Sequence, residues 1–472
     1  MPEQGVFRVV ELLGDWRRGG PAAERLAATL RTLVLDGRIP AGARLPAERR
    51  LAAGLGVSRA TVTAAYDRLR TEGYLASVLG AGSFVTIPAT RGPALDDARA
   101  ADLDLTIAAL PAPAAILELT QAAVSRLPSW LDHHGYSPLG LPPLREAIAR
   151  RYCERGLPTR ADQILVTSGA LQAIDLTIRA LLPRGRTALV EIPSYPAALD
   201  ALRASGARLR AVPVSAGGWD LDELEAIASR HAPRLSYLIP DFHNPTGALM
   251  EEAARRRALA ALGHLDGHVI ADETFAELNL DGVQAPPPFA ALGRSERVVT
   301  VGSLSKSLWG GIRVGWARAE PGLIRRLAAS RSGVDLSSPV LEQLIATEAL
   351  SCFEPILSER LRLARSHRVV LSDALAQHLP DWRHAQPAGG LSLWVELPQP
   401  MSTSLAVLAR EHGLALTPGP RFAASGLLER YLRLPFTARS ADLQAAVKLM
   451  AEIAPSVALE PEVETALSTY AV

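Results

Sequence analysis

The stretch RVVTVGSLSKSLWGGIRVGW carries Ser303, Ser305, Lys306 and Arg313 within eleven residues. Two hydroxyls, an amine and a guanidinium, set among glycines that admit close backbone approach, can hold a phosphate and a carbonyl group together. The amine is scarce: of 50 basic residues only Lys306 and Lys448 are lysines, so chemistry that needs a lysine amine has two candidates. Other apolar runs also end on polar groups. VIADETFAEL ends on Asp272 and PDFHNPTG on Asn244, while VTSGALQAI turns from strand to helix at Gly169-Ala170. A helix N-terminus with free N–H groups is a natural phosphate site. EIPSYP places Tyr195 just past another run, where its ring could stack on a flat cofactor. Singly these features are common ones: NPTG is an ordinary turn, and an aspartate at a strand end often caps the next helix.

These groups need a scaffold that brings them together. From about residue 110 the chain alternates apolar strand-like runs (QILVTSG, TALVEIPSY, RLSYLIP, GHVIADE, RVVTVGSLS) with amphipathic helical stretches such as ALQAIDLTIRALL. Strands alternating with helices predict an α/β fold with a mostly parallel sheet covered on both faces. Functional groups then belong at the carboxyl ends of the strands. Residues 87–110, rich in Pro, Ala and Asp, read as a linker, leaving 111–472 as one domain. The Glu- and Ala-rich tail after about Pro455 reads as a surface helix or a partly unstructured end.

Ahead of the linker the pattern changes. PAAERLAATLRTLVLDGRI has a helical apolar stripe at Leu26, Leu30, Leu33 and Val34. AERRLAAGL reads as a short helix, GVS as a turn with Gly56 at positive φ, and SRATVTAAYDRLRTEG as a second helix with Ser58 as N-cap. Helix, tight glycine turn and helix make a helix-turn-helix. Val62, Tyr66 and Leu69 fall on the face to be buried, leaving Arg59 and Thr63 on another face and Thr61 near the N-terminal end. Such an end is what a recognition helix presents to the DNA major groove. YLASVLGAGSFVT then reads as a β-hairpin wing around a glycine tip.

Composition sets outer limits. The chain has 472 residues, 48% hydrophobic and 21% charged, which suits two or more ordinary globular domains and excludes a mostly disordered chain. Two cysteines exclude a disulfide scaffold. No membrane span, signal peptide or metal-ligand set is expected, and the default location is cytoplasmic. The net charge of +1 hides an asymmetry, since residues 1–90 hold 12 arginines against 8 acids. That basic excess suits an anionic partner for the first domain.

LPAERRLA, VSRATV, DRLRTEGYL and GAGSFV resemble the winged helix-turn-helix of the GntR family, with the head spanning residues 1–86 and its core 20–86. The resemblance implies contacts of Arg49, Ser58, Arg59 and Thr61 with double-stranded DNA, and a place for Gly82 on the wing. SGA, PSYP, HNPTG, DETF, SLSK and GIRVGW, in that order, resemble the fold-type I aminotransferases that use pyridoxal 5'-phosphate. This second resemblance implies a three-layer α/β/α domain with a smaller C-terminal α+β subdomain. Lys306 would form the Schiff base with the cofactor, Asp272 would pair with its pyridinium nitrogen and Asn244 would bond its phenolic oxygen. Tyr195 would stack on the ring, and Gly169, Ala170, Ser303, Ser305 and Arg313 would hold the phosphate. Tyr136 would reach a neighbouring subunit's phosphate in a homodimer, and Arg433 would clamp an amino acid's carboxylate. Gly389 and Gly390 resemble a glycine turn beside the substrate. Two positions depart from the pattern: Phe275 stands where many relatives have a tyrosine, and Leu171 where they often have a polar residue.

Both halves in this order resemble the MocR-type transcriptional regulators. In these the aminotransferase-like domain binds pyridoxal phosphate, sometimes with an amino compound, and its state alters DNA binding. The alternative is a working aminotransferase, converting amino acid to 2-oxo acid, that carries a DNA-binding head. A third reading is a DNA-binding scaffold with a vestigial cofactor site.

Overall fold

A computed structural model describes residues 9–457 except 15, 18–19, 36–37, 40–42, 79–81, 86–102, 133, 264–265, 294 and 424–427. The tip of the expected wing, most of the expected linker and the tail from residue 458 lie outside the described residues.

The head is built from α1 (Ala22–Leu35), α2 (Glu48–Leu55), α3 (Arg59–Thr71) and an antiparallel hairpin of β1 (Leu75–Val78) and β2 (Gly82–Val85). Gly56 ends α2 in the left-handed region at φ 62°, a conformation that costs glycine nothing. Ser58 then starts α3, its hydroxyl accepting the Thr61 amide at 3.1 Å. Val62, Tyr66 and Leu69 are buried against Leu26, Leu30 and Leu33, as the spacing predicts. The buried Tyr66 hydroxyl donates to the Pro46 carbonyl at 2.8 Å, pinning α3 to the LPAERR turn. The head begins earlier than the expected core boundary at residue 20: residues 9–13 are helical, and Val9, Leu13 and Trp16 are buried in the same core.

The second domain has two sheets. β4 (Ile164–Thr167), β5 (Thr187–Ile192), β6 (Arg208–Ser215), β7 (Gly218–Trp219), β8 (Leu235–Leu238), β9 (His268–Asp272), β10 (Val298–Ser303) and β11 (Gly315–Arg318) form an eight-stranded sheet. Its order is β4-β11-β10-β9-β8-β5-β6-β7, with only β7 and β11 antiparallel to their neighbours. Separate apolar clusters pack on the sheet, one around Leu189, Leu238 and Val298, the other around Leu165, Val190 and Val299. Alternate side chains along each buried strand supply the two faces, which gives three layers.

A smaller four-stranded antiparallel sheet joins β12 (Arg383–His384), β13 (Ser392–Glu396), β15 (Thr417–Pro418) and β16 (Tyr431–Pro435). β14 (Leu414–Ala415) pairs in parallel with β3 (Leu103–Asp104). This corrects the linker boundary. Residues 103–110 belong to the second domain, because Leu105, Ala108 and Leu110 are buried in the core of the smaller subdomain. Apolar residues in an otherwise turn-like stretch hide that packing from a reading of composition.

The head rests on this subdomain: Arg25 of α1 pairs with Glu411 at 3.1 Å, at the end of the helix Ser402–Glu411. Replacing Ser58 by Ala should destabilise the head by about 1 kcal/mol through loss of the N-cap. Chemical unfolding followed by circular dichroism checks this as a lowered first midpoint.

Candidate functional site

The parallel strands point their carboxyl ends the same way, so Thr167, Asp272 and Ser303 converge on one edge of the sheet. Lys306 follows β10 in a turn. Its Nζ donates to the Ala108 carbonyl at 2.8 Å and lies 5.8 Å from the Phe275 ring centroid. Burial, assisted by the charge of Arg433, lowers its amine to about 8. Asp272 ends β9 and is buried. One carboxylate oxygen accepts the Thr274 amide at 3.0 Å and the Thr274 hydroxyl, and the other accepts the Tyr237 hydroxyl at 2.7 Å. Burial pushes the Asp272 carboxyl up, and the Thr274 and Tyr237 hydrogen bonds oppose the rise.

A second set of polar groups gathers around Ser303 and Arg313. Ser303 Oγ donates to the Val314 carbonyl at 3.0 Å, lies 3.0 Å from Ser305 Oγ and accepts the Ser305 amide at 3.1 Å. Arg313 adopts the left-handed region at φ 53° and donates to the Ser168 carbonyl at 2.9 Å. Gly169, at φ 92°, caps the helix Ala170–Leu181, and a Cβ there would meet Arg313 Nη2 at 2.7 Å. The positive φ favours glycine, and a Cβ there would push the Arg313 guanidinium aside.

Asn244 is buried with its Oδ1 unpartnered among the described residues. Tyr195 stands at the start of the helix Pro196–Ala204, where burial and the charge of Asp272 raise its hydroxyl. Arg433, from β16, is 6% exposed and lies 5.0 Å over the Phe422 ring. Its Nη2 donates to the Thr106 carbonyl, its Nε has no partner among the described residues, and burial lowers it to about 10. The residues suit pyridoxal phosphate: backbone at Gly169 beside an arginine, an amine, a carboxylate and a buried asparagine whose amide NH2 could donate to a phenolic oxygen. Among the described residues no group of three His, Cys, Asp or Glu could hold a metal ion.

Not every expected residue joins this cluster. Tyr136 is 58% exposed, and its ring packs on His134 with centroids 5.6 Å apart. Gly389 packs on Phe242, where a Cβ would meet Cδ1 at 2.3 Å. Tyr237, Thr274 and the carbonyls of Thr106 and Ala108 were not anticipated. Tyr237 sits in the apolar run RLSYLIP, and only the β8–β9 register, which pairs it with Ile270, aims its hydroxyl at Asp272.

In the head, Arg49, Ser58 and Arg59 are exposed at the adjoining ends of α2 and α3, and Gly82 is exposed on the wing. Thr61 is half-buried, its hydroxyl 2.8 Å from that of Ser58. Thr63 does not face outward as expected: its hydroxyl donates to Glu48 at 2.8 Å. Glu48 also holds Arg70 at 3.2 Å and lies 3.7 Å from Arg59, whose side chain stays 70% exposed.

The model of the aminotransferase class I and II family matches residues 114–449. The chain belongs to that family. The model of the bacterial regulatory proteins of the gntR family matches residues 22–85, the described head. A structure of LysN, an α-aminoadipate aminotransferase of Thermus thermophilus complexed with N-(5'-phosphopyridoxyl)-L-leucine, superposes with a TM-score of 0.69 at 33% identity. It covers 75% of this chain and 92% of that one. Along almost the whole chain the similarity is to regulators. The HTH-type transcriptional regulator YisV of Bacillus subtilis is 28% identical over 470 residues, 92% of this chain and 96% of that protein. The "probable rhizopine catabolism regulatory protein MocR" of Rhizobium meliloti is 29% identical over 392 residues, 77% of this chain and 78% of that protein. The two halves and their order are thus those of the MocR-type regulators.

The lowered Lys306 amine has a measurable consequence. Its neutral, nucleophilic form prevails above about pH 8, whereas an ordinary lysine needs about pH 10.4. Reductive trapping of pyridoxal 5'-phosphate on this residue should therefore rise through pH 8 and level off above it, as quantified by mass spectrometry of the Lys306 peptide.

Proposed function

We propose that this chain is a transcriptional regulator whose aminotransferase domain binds pyridoxal 5'-phosphate and an amino compound, and whose occupancy changes operator binding. The observation that carries the reading is one chain holding both a helix-turn-helix with exposed Arg49 and Arg59 and, at one sheet edge, a buried amine and carboxylate with Gly169 beside Arg313. When bound, the cofactor supplies an aldehyde that condenses with amines and a ring that draws electrons. Lys306 offers the amine, neutral above about pH 8. Asp272, kept as a hydrogen-bond acceptor by Thr274 and Tyr237, faces the ring nitrogen. Asn244 offers its amide to the phenolic oxygen, and Tyr195 flanks the ring. Gly169, Ala170, Ser303, Ser305 and Arg313 hold the phosphate, and Arg433 takes an α-carboxylate through a charge-assisted fork.

The operative unit in this reading is a homodimer. Tyr136 is exposed, and Leu117 and Leu131 nearby in sequence are 72% and 67% exposed, an apolar face that suits a second copy of the chain. Two heads would then read paired half-sites. Arg49, Arg59, Thr61 and the Ser58 turn meet DNA, with Gly82 on the wing.

A second reading, turnover of an amino acid to a 2-oxo acid, is favoured by the survival of Lys306, Asp272 and Arg433 in one cluster. Phe275 counts against it, since its ring has no hydroxyl to offer the cofactor. Sustained product from an amino donor and a 2-oxo acid would establish turnover. The deciding experiment for the regulator is binding to the upstream intergenic DNA at fixed salt, with and without pyridoxal phosphate. A specific complex whose affinity shifts with the cofactor is expected; specific binding indifferent to both cofactor and amino compounds refutes the sensor. Two substitutions sharpen it. Lys306→Ala should leave no borohydride-reducible cofactor adduct while retaining the fold. Arg59→Ala should weaken operator binding by about 1–3 kcal/mol if it reads a base edge, with a smaller loss on unrelated DNA.

A further inference from the structure

Residues 103–111 run past the site and occupy two of its cations with main-chain oxygens. The Ala108 carbonyl accepts Lys306 Nζ at 2.8 Å, and the Thr106 carbonyl accepts Arg433 Nη2. Between them the Ile107 carbonyl accepts the Thr437 hydroxyl at 2.8 Å. The segment is anchored at both ends. The Leu103 and Leu105 amides donate to the Gly413 and Ala415 carbonyls at 3.1 and 2.9 Å, and the Pro111 carbonyl accepts Arg360 Nη2. Leu105, Ala108 and Leu110 point into the core while Ile107 is 59% exposed.

We propose that residues 103–111 are a strap that competes with an amino-acid ligand for Arg433, and that its release is the event handed to the DNA-binding head. This deepens the sensor reading and rests on it. The competition follows from the chemistry of that cation. A neutral carbonyl satisfies one nitrogen of Arg433 and leaves its buried Nε without a partner among the described residues. An α-carboxylate can take both nitrogens in a charge-assisted fork, about twice as strong per bond as a neutral pair. The Ala108 bond to Lys306 is a separate matter, since that amine is engaged by the cofactor aldehyde and not by the amino acid.

The route to the head is short and has two branches. Along the chain, only residues 86–102 separate the strap from wing strand β2. Through space, the strap pairs with β14 and with Gly413, two residues beyond Glu411. Glu411 is the residue that holds Arg25 of α1. Loosening β3 from β14 therefore loosens the seat of the head.

The test is hydrogen exchange on the full-length protein with N-(5'-phosphopyridoxyl)-L-leucine, which carries the α-carboxylate, and with pyridoxamine 5'-phosphate, which lacks it. The leucine adduct should speed exchange of the Leu103 and Leu105 amides at least about tenfold and also that of α1, whereas pyridoxamine phosphate should leave them slow. Thr437→Val, which removes the central strap bond, should tighten adduct binding about two- to tenfold and speed the same amides in the ligand-free protein. Bound adduct with unchanged or slower strap exchange overturns the strap and makes the segment a lid that closes on the ligand. Faster strap exchange with an unchanged head overturns the transmission. Failure of the adduct to bind, read by calorimetry, sinks the cofactor reading and the strap with it.

Discussion

Two buried cations, Lys306 and Arg433, lie close enough to repel each other, with Asp272 acting on the first and Asp104 on the second. Withdrawing charges from water is costly unless polar partners replace the solvent. The chain supplies those partners from distant places: carbonyls from 103–111, hydroxyls from Tyr237 and Thr274, and the Phe422 ring beneath Arg433. Each partner is a main-chain oxygen, a hydroxyl or an aromatic face, so none adds a formal charge to compete with an anionic ligand. Burial lowers both cations, as expected when desolvation outweighs the opposing pull of Asp272 on Lys306 and of Asp104 on Arg433.

Sheet geometry makes this convergence possible. Parallel strands bring Thr167, Asp272 and Ser303 to one edge, and diagonal register across β8 and β9 sets the Tyr237 hydroxyl against Asp272. Gly169 and Arg313 depend on each other: the first tolerates positive φ and close contact, and the second fills the space a Cβ would need. The same economy appears in the head. Glu48 takes Thr63 and Arg70 on the inner side of α3, which fixes that helix against α2 and leaves most of Arg59 in solvent.

The contact between the two domains places regulation and chemistry on adjoining elements. α1 sits on the helix Ser402–Glu411, that helix leads into β14, and β14 holds the strap that caps Lys306 and Arg433. Coupling between two sites requires an element with differential contacts in two states. A segment whose carbonyls hold Lys306 and Arg433 is such an element if a ligand takes either cation.

Much of this was legible in the residues because the local signals are strong. Gly56 and Ser58 announce the turn and cap of the helix-turn-helix, alternating apolar runs announce the parallel sheet, and a chain with two lysines narrows the amine to Lys306 or Lys448. The motif order then marked Asp272, Asn244, Gly169 and Arg313 by resemblance. Long-range register stayed hidden. Tyr237 reads as one more apolar strand residue, Thr63 as an outward hydroxyl, and 103–110 as linker, until β8 meets β9, α3 meets α2 and β3 meets β14. Sequence alone determined which chemical groups the chain owns and which local elements carry them, since caps, turns and periodicity act over a few residues. Tertiary structure alone decided which groups face one another, because that depends on pairings across tens to hundreds of residues that no local propensity encodes.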